Sequence, residues 1–139
     1  MSELPIRSPA ATVGGIVYFG RMLDKIKANT AAALPAEYTP NLGRGFDGRC
    51  TAFLHIDYQK LVERVAAGGT DEEILDWCFA AGRRPANDEI HIWNEFMRKC
   101  GWDDDVSETV TRRKKEAGMS ERSEIRTMFQ FIDADEGRP

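Results

Sequence analysis

The sequence predicts a mainly α-helical protein, a single compact domain of about six helices arranged as helical hairpins, with room for one short strand pair. Three observations predict this class. Helix-capping residues recur through the second half of the chain, and each is followed about a dozen residues later by a glycine. The apolar residues between them recur at helical spacing. The length of 139 residues, with 42% hydrophobic and 30% charged side chains, is typical of one globular domain.

The first helix is expected to begin at Ser8, an N-cap followed by a first-turn proline, and to end before Pro35. Its apolar residues fall at helical spacing: Val13, Ile16, Val17, Leu23 and Ile26. Gly14, Gly15 and Gly20 would each cost about 1 kcal/mol inside a helix. Close packing against a bulky neighbour is the favoured reason for them, ahead of backbone access for an anion near the helix N-terminus.

Residues 34–49 hold two prolines and three glycines and are predicted to form the longest irregular loop. Gly43, Gly45 and Gly48 have the G-x-G-x-x-G spacing with which backbone amides approach a pyrophosphate in dinucleotide sites. That motif must follow a buried strand, and the proline-containing segment before it does not favour a strand. A surface loop with positive φ at its glycines is therefore the favoured hypothesis. A binding loop for another kind of ligand is the second hypothesis, and nucleotide binding is the least favoured.

The next segments combine one ambiguity with two clear helix starts. Residues 51–56 are short and apolar, so the pattern does not distinguish strand from helix. A helix is expected from the N-cap Asp57 to the glycine pair at 68–69. Thr70 and Glu73 have the spacing of a capping box and predict another helix, which a glycine ends.

Three more helices are expected in the rest of the chain. Asn87 is predicted to open the first of them and Gly101 to stop it. Asp105 and Glu108 are expected to form a capping box at the start of the second. Ser120 is predicted to start the last helix, whose apolar residues recur at helical spacing: Ile125, Met128, Phe129 and Ile132.

The chain is predicted to be one domain over 1–139, with short flexible tails at 1–6 and 134–139. The longest uncharged run, residues 8–20, is too short and too interrupted to cross a bilayer, and no export signal opens the chain. Three cysteines without paired spacing favour a reducing compartment. We therefore expect a cytoplasmic protein with no membrane partner and no cofactor.

Charge is distributed unevenly along the chain. Residues 70–118 contain 12 acidic and 8 basic side chains, so this part would repel the phosphates of a nucleic acid. Residues 1–69 contain 8 basic and 6 acidic side chains. We therefore expect no nucleic-acid partner, and we expect any anionic partner to approach the N-terminal half.

Reactive side chains are densest around the glycine loop, and with the first helix this loop frames the candidate site. The candidate ligand-binding residues are Arg21, Asp24, Asp47, Arg49, Cys50 and His55. Cys50 and His55 could form a nucleophile and base, because a nearby imidazolium or other cation lowers the pKa of a thiol and so favours the reactive thiolate. No known thiol-enzyme motif surrounds Cys50, so an inert buried cysteine is favoured and no catalytic residue is assigned. Arg21, Asp24 and Lys25 form a charged strip that most simply marks a solvated helix face.

A metal site is not predicted. The chain has two histidines, and His91 stands one helical turn from Glu95. An exposed contact between these two side chains is far commoner than a pair of metal ligands.

Short motifs in a fixed order cover nearly the whole chain: Arg7-Ser8-Pro9, Gly14-Gly15, Leu23-Asp24-Lys25, Asp71–Trp77, and Glu89-Ile90 with Trp93. In these motifs the sequence resembles a bacterial family known as domain of unknown function 5069 (DUF5069). Other members carry a proline before the arginine that corresponds to Arg21, where this chain has Gly20, so the first helix is expected to be straighter here. The resemblance implies a small, mostly helical bacterial protein and supplies no catalytic residues.

Two hypotheses about function remain open. The favoured one is a non-enzymatic module that binds a protein or small-molecule partner, because no complete catalytic constellation is visible. The alternative is a small enzyme or metabolite-binding protein with a site between the first helix and the Gly43–Gly48 loop. A Cys50 sulfur within about 4 Å of a histidine, in an open pocket, would favour the enzyme.

Overall fold

The structure is a computed structural model that describes residues 5–139; the first four residues of the predicted tail 1–6 lie outside it. The described chain contains one antiparallel strand pair, one 3₁₀ helix and seven α-helices. In order these are β1 (Thr12–Val13), β2 (Ile16–Val17), α1 (Phe19–Thr30), the 3₁₀ helix (Ala36–Asn41), α2 (Phe46–Leu54), α3 (Tyr58–Ala66), α4 (Asp71–Ala81), α5 (Asn87–Lys99), α6 (Ser107–Glu116) and α7 (Met128–Asp135). The prediction of a mainly α-helical domain is confirmed.

The prediction that the first helix begins at Ser8 is wrong, because residues 12–17 form a β-hairpin and α1 begins only at Phe19. Gly14 and Gly15 have φ values of +57° and +80°. Positive φ at both central residues is what a two-residue type I′ hairpin turn requires. The glycines that a helix would tolerate poorly therefore serve the turn. The register pairs Thr12 with Val17 and Val13 with Ile16.

The hairpin is held against α5 by two consecutive side chains of that helix. The side-chain amide of Asn94 accepts a hydrogen bond from the backbone N–H of Val17 at 3.0 Å and donates to the carbonyl of Gly15 at 2.7 Å. The indole N–H of Trp93 donates to the carbonyl of Val17 at 3.2 Å. These bonds satisfy backbone groups that a strand pair this short leaves open, so α5 stabilises the hairpin.

Substituting alanine at the two turn glycines distinguishes the hairpin from a helix. In a helix each change would stabilise the protein by about 1 kcal/mol, whereas at positive φ each should destabilise it by about 1–2 kcal/mol. A Cβ at Gly14 would lie 2.5 Å from Leu75 Cδ2, whereas one at Gly15 would meet no atom within 4 Å. Gly14→Ala should therefore lose about 1 kcal/mol more than Gly15→Ala in urea unfolding. Stabilisation by either change would contradict the hairpin.

The long loop predicted over residues 34–49 is partly wrong, since most of it is helical. The 3₁₀ helix occupies its first half, and α2 begins inside its second half and extends to Leu54. Residues 51–56, which the pattern left open, thus lie mostly in a helix. The turn before α2 is closed by Asp47, whose Oδ2 accepts a hydrogen bond from the backbone N–H of Gly43 at 3.0 Å. This bond ties the glycine loop to the helix that follows it.

The two clear helix starts are confirmed at α3 and α4. The carboxylate of Asp57 accepts a hydrogen bond from the N–H of Lys60 at 3.1 Å. Thr70 and Glu73 form the reciprocal capping box, with bonds of 3.1 and 2.7 Å. Each cap satisfies N–H groups that the first turn of a helix leaves without a partner.

The predicted capping box of Asp105 and Glu108 is wrong. Asp104, one residue earlier, supplies the carboxylate that organises this turn. It accepts from the N–H groups of Gly101 and Val106, at 3.0 and 2.9 Å. Because this closes a turn before the helix, α6 begins only at Ser107.

The last helix begins later than predicted, at Met128 and not at Ser120. Thr127 is its N-cap and forms a capping box with Gln130, since each side chain accepts from the other residue's N–H. A glutamine serves here in place of the glutamate that is commoner in this motif. Residues 120–127 form turns.

The core consists of two apolar clusters. The larger one surrounds α1 and draws on the hairpin and on α2–α5, and the smaller one is formed by Val110, Ile125, Met128 and Phe131. The ring of Phe46 packs against both clusters. Eight of the twelve residues of α1 are buried, including Arg21 and Lys25. Two buried cations need compensating partners, and these partners define the candidate site.

Candidate functional site

A cavity of about 370 Å³ lies where the two apolar clusters meet. Its walls come from α1, the 3₁₀ helix, the start of α2, and the facing sides of α6 and α7. The residues that line it from α1 and its N-cap, from the loop before α2 and from α2 itself are Tyr18, Arg21, Lys25, Arg44, Gly45, Phe46 and Arg49. The structure thus brings the first helix and part of the glycine loop together at one cavity.

One side of the cavity is formed by a buried tyrosine and lysine backed by an aspartate. Lys25 Nζ lies 2.8 Å from Asp47 Oδ1 and donates a hydrogen bond to the hydroxyl oxygen of Tyr18 at 2.9 Å. That hydroxyl donates to Asp47 Oδ1 at 2.6 Å. Asp47 is completely buried, whereas Tyr18 and Lys25 line the cavity with 3% and 5% of their surface exposed. The three side chains form a closed polar triangle within an apolar cluster.

The backbone of Tyr18 is in the left-handed region, with φ +74°. This conformation is unfavourable for a residue with a Cβ, by about 1–2 kcal/mol. It persists because the ring packs against Phe46 and Phe129, with centroids 5.7 and 6.4 Å away. In addition, the hydroxyl is hydrogen-bonded to both other members of the triangle, the Lys25 amine and the Asp47 carboxylate. Strained backbone of this kind is concentrated at functional sites.

The environment shifts the ionisation of both cavity-lining members of the triangle. Burial, together with the charge and hydrogen bond of Asp47, raises the pKa of Tyr18 well above its ordinary value. The phenol therefore stays neutral. Burial lowers the pKa of Lys25, and Asp47 offsets only part of that effect. The triangle thus holds an amine that loses its proton more easily than an exposed lysine does.

A second buried ion pair closes the end of the cavity near the C-terminus. Arg21 donates two hydrogen bonds to the carboxylate of Glu136, at 2.9 and 2.7 Å, and both side chains are less than 5% exposed. The hydroxyl of Tyr38 donates to the same carboxylate at 2.7 Å, and Arg138 forms a further ion pair with it. Residues 134–139, expected to form a tail, therefore contribute a buried carboxylate to this site.

Three further guanidinium groups line the cavity, those of Arg44, Arg49 and Arg113. Among residues 5–139, none of the three has a carboxylate within 4.0 Å. Arg49 lies over the rings of Phe46 and Phe96, and Arg113 lies over the ring of Phe131. Arg49 Nη1 also donates to Cys100 Sγ at 3.5 Å. A guanidinium that lies over a ring keeps its remaining in-plane N–H donors available for an oxyanion.

The cavity also contains acidic side chains. Glu37 and Asp135 line it in addition to Glu136. The charge of Arg21 is neutralised by Glu136, and that of Lys25 by Asp47. Three positively charged guanidinium groups and two negatively charged carboxylates then remain in the lining. The lining residues therefore keep a positive balance, although the chain as a whole carries a net charge of −4.

The six candidate residues from the sequence fall into two groups. Arg21 and Arg49 line the cavity, and Asp47 lies directly behind it against Lys25. The other three do not line it: Asp24 pairs with the guanidinium of Arg7, Cys50 is buried in the larger core cluster, and His55 is an exposed residue at the end of α2.

The nucleophilic role considered for Cys50 has no support in the structure. Its side chain is completely buried, and burial raises the pKa of its thiol above the ordinary range. Cys78 and Cys100 are also buried, and burial likewise raises their pKa values, that of Cys78 to about 12. Because the thiolate is the reactive form, these are inert cysteines of the core.

Sequence reasoning missed the residues that complete the site: Tyr18, Lys25, Tyr38, Arg113 and Glu136. The interpretation of Arg21, Asp24 and Lys25 as a solvated face is wrong, because two of the three are buried. A signal was available in α1. Arg21 and Lys25 share one helix face with Tyr18, at spacings of three and seven residues.

No three metal-ligating side chains come together within residues 5–139 in a way that could hold a metal ion.

A second, shallower groove is lined by the exposed apolar side chains of Ile92, Phe96 and Trp102, beside His91 and Glu95. The Glu95 carboxylate bonds to Arg98 and Lys99 and not to His91. Residues 5–139 contain no apolar helix of the length that a membrane span requires.

Fold and cavity together define a small, mainly helical protein in which buried ion pairs support a basic cavity. Residues 3–138 match the model of the family described as Domain of unknown function (DUF5069), and the chain belongs to this family. None of the curated proteins compared with the chain matches it.

Proposed function

We propose that this protein binds a small anionic molecule in the cavity between α1, α2, α6 and α7. The observation that carries the proposal is the convergence of Arg44, Arg49 and Arg113 on one cavity without carboxylate partners in the described chain. Guanidinium groups bind carboxylate and phosphate oxygens with two parallel hydrogen bonds. A volume of about 370 Å³ suits a metabolite rather than a polymer.

The rings around the cavity add to this preference. Phe46, Phe131 and Tyr38 line it next to the guanidinium groups. A ligand with an anionic end and a short carbon skeleton would place its charge on the arginines and its carbon atoms on the rings. The specificity of small-molecule sites commonly depends on this combination of apolar walls and a few placed polar groups.

The hypothesis of a module that docks a protein partner is supported by the exposed side chains of Ile92, Phe96 and Trp102. The cavity is favoured over this groove because it contains polar groups held in place by packing. Stacking on Phe46 and Phe96 fixes Arg49, and burial fixes Lys25 and Tyr18. Pre-organised polar groups reduce the entropy lost when a ligand binds.

The test is a thermal-shift and calorimetric titration with inorganic phosphate, pyrophosphate and citrate. A ligand at about 100 times its dissociation constant stabilises the folded state by about 2.7 kcal/mol, so the unfolding temperature should rise with anion concentration. Arg49→Ala should weaken binding about tenfold or more, because a charge-assisted hydrogen bond is lost. Arg126→Ala removes an exposed arginine that does not line the cavity and should leave binding unchanged. Equal shifts for all three proteins would contradict the proposal.

A further inference from the structure

The amine of Lys25 lies at the cavity with unused bonding capacity. Two of its three ammonium hydrogens are directed to Tyr18 and Asp47. Lys25 lines the cavity, and its third ammonium hydrogen has no bonding partner within residues 5–139. Anion binding by Arg44, Arg49 and Arg113 would not require such a buried amine, since the guanidinium groups alone supply charge and donors.

We propose that Lys25 forms a protonated imine with the carbonyl carbon of an anionic aldehyde or ketone, such as a 2-oxo carboxylate or a phosphorylated carbonyl compound. The proposal rests on the proposed function, because the arginines of the cavity would hold the anionic end of the same molecule. The chemical class follows from these two features, an oxyanion for the guanidinium groups and a carbonyl for the amine.

The reaction balances without any oxidant or reductant. The Lys25 ammonium transfers one proton to Asp47, and the free electron pair on nitrogen attacks the carbonyl carbon. The carbon–oxygen bond then breaks, and the oxygen leaves as water with two protons from the nitrogen, while Asp47 returns its proton to that nitrogen across the 2.8 Å contact. The products are a protonated imine and one water molecule, and the total charge is unchanged.

Asp47 suits this reaction because it is a fixed counter-ion on the side away from the cavity. Its Oδ1 lies 2.8 Å from Lys25 Nζ, and its Oδ2 is held by the N–H of Gly43. The protonated imine carries one positive charge on the same nitrogen, so the buried carboxylate has a cationic partner both before and after the reaction. An unpaired charge there would be strongly unfavourable.

Tyr18 serves as a positioning residue. Its hydroxyl bonds to both the amine and the carboxylate, and the left-handed backbone places the phenol between them. Burial favours loss of the Lys25 proton, and the neutral phenol retains its hydrogen bond to Asp47 when that occurs. The structure thus contains an amine and an orienting hydroxyl that line one cavity, with a proton acceptor directly behind them.

Borohydride trapping tests the proposal, because reduction converts the imine to a stable secondary amine. The wild-type protein is incubated with glyoxylate or, in a second arm, with glycolaldehyde phosphate, and the adduct is located by peptide mass spectrometry. Lys25 should be labelled at least about tenfold faster than Lys27, an exposed lysine on the same helix. Uncharged glycolaldehyde should label Lys25 about tenfold more slowly than glyoxylate.

The variants separate this chemistry from anion binding. Lys25→Arg should abolish the adduct, and Lys27→Arg should leave it unchanged. Arg49→Ala should slow labelling of Lys25 by about tenfold. Calorimetry with glycolate, which has no carbonyl group, reports anion binding alone. Binding of glycolate without an adduct at Lys25 would overturn the imine and leave the anion site standing. If the protein neither binds glycolate nor forms the adduct at Lys25, both proposals are overturned. The same holds if borohydride labels only exposed lysines and glycolate does not bind.

Discussion

Replacing Asp47 with alanine is expected to lower the free energy of unfolding by about 3–5 kcal/mol, because it leaves the buried ammonium of Lys25 without its counter-ion. Asp47 is completely buried, and its carboxylate bonds to Lys25, to the hydroxyl of Tyr18 and to the N–H of Gly43. The substitution therefore removes three interactions at once. The unfolding temperature should fall by roughly 10 °C or more.

A double-mutant cycle assigns this loss to the ion pair. Asp47→Asn keeps an oxygen for the N–H of Gly43 but removes the charge, and Lys25→Met removes the ammonium. If the pair is the main cause, Asp47→Asn should cost much less in the Lys25→Met background than in the wild type, with a coupling of about 2–3 kcal/mol. Urea unfolding of the four proteins gives each value.

An exposed pair provides the matched control. Asp76 lies 4.0 Å from Arg84, and both side chains are about 70% exposed. Asp76→Ala should change the free energy of unfolding by no more than about 0.5 kcal/mol, since water screens such pairs. A similar cost for Asp47→Ala and Asp76→Ala would contradict the view that Asp47 is a buried counter-ion.

The features that sequence reasoning located correctly are local ones. The caps at Asp57 and Thr70 depend on side chains that reach backbone groups three residues away, and the sequence contains both partners side by side. The mainly α-helical class was predictable for the same reason, since capping residues and helical spacing recur through the second half of the chain.

The hairpin was missed because its decisive contacts are distant in sequence. Gly14 and Gly15 fit both a glycine-rich helix and a turn, and residues around them have apolar spacing compatible with either. The choice is made by Asn94, which bonds the backbone of Val17 from 77 positions away. Tertiary contacts of this kind override local preference.

The candidate site was predictable only in part. Asp47 and Arg49 were found because reactive residues are dense around the loop, and Arg21 was found because the site was placed between that loop and the first helix. Lys25 was assigned to solvent because the exposure of a helix face depends on which elements cover it. Glu136 closes the cavity from 115 residues beyond Arg21, a separation that no local pattern bridges.

Replacing Glu136 with glutamine is expected to lower the free energy of unfolding by about 3–5 kcal/mol at pH 7. The Glu136 side chain is 3% exposed and that of Arg21 is 4% exposed. Glutamine has nearly the same shape but carries no charge, so the Arg21 guanidinium would be buried without a counter-ion. The loss should appear in urea unfolding as a lower midpoint with an unchanged slope, because the surface exposed on unfolding stays the same.

The pH dependence distinguishes this ion pair from simple packing. Burial alone would raise the pKa of Glu136, but the hydrogen bonds and charge of Arg21, with Arg138 and Tyr38, outweigh it and lower the pKa below its ordinary value of 4.5. The folded state therefore binds this proton less readily than the unfolded state. The stabilisation is complete above pH 4.5 and is lost as the pH falls through the lower pKa of the folded state.

The difference in unfolding free energy between wild type and Glu136→Gln should accordingly be constant near neutral pH and shrink at acidic pH. Glu116→Gln supplies the matched control, because Glu116 pairs with Arg112 on the surface of α6 with both side chains about 60% exposed. That change should cost less than about 0.5 kcal/mol at pH 7. A difference for Glu136→Gln that stays constant from neutral to acidic pH would show that the lost stability comes from packing, since only an ionised carboxylate loses its advantage on protonation.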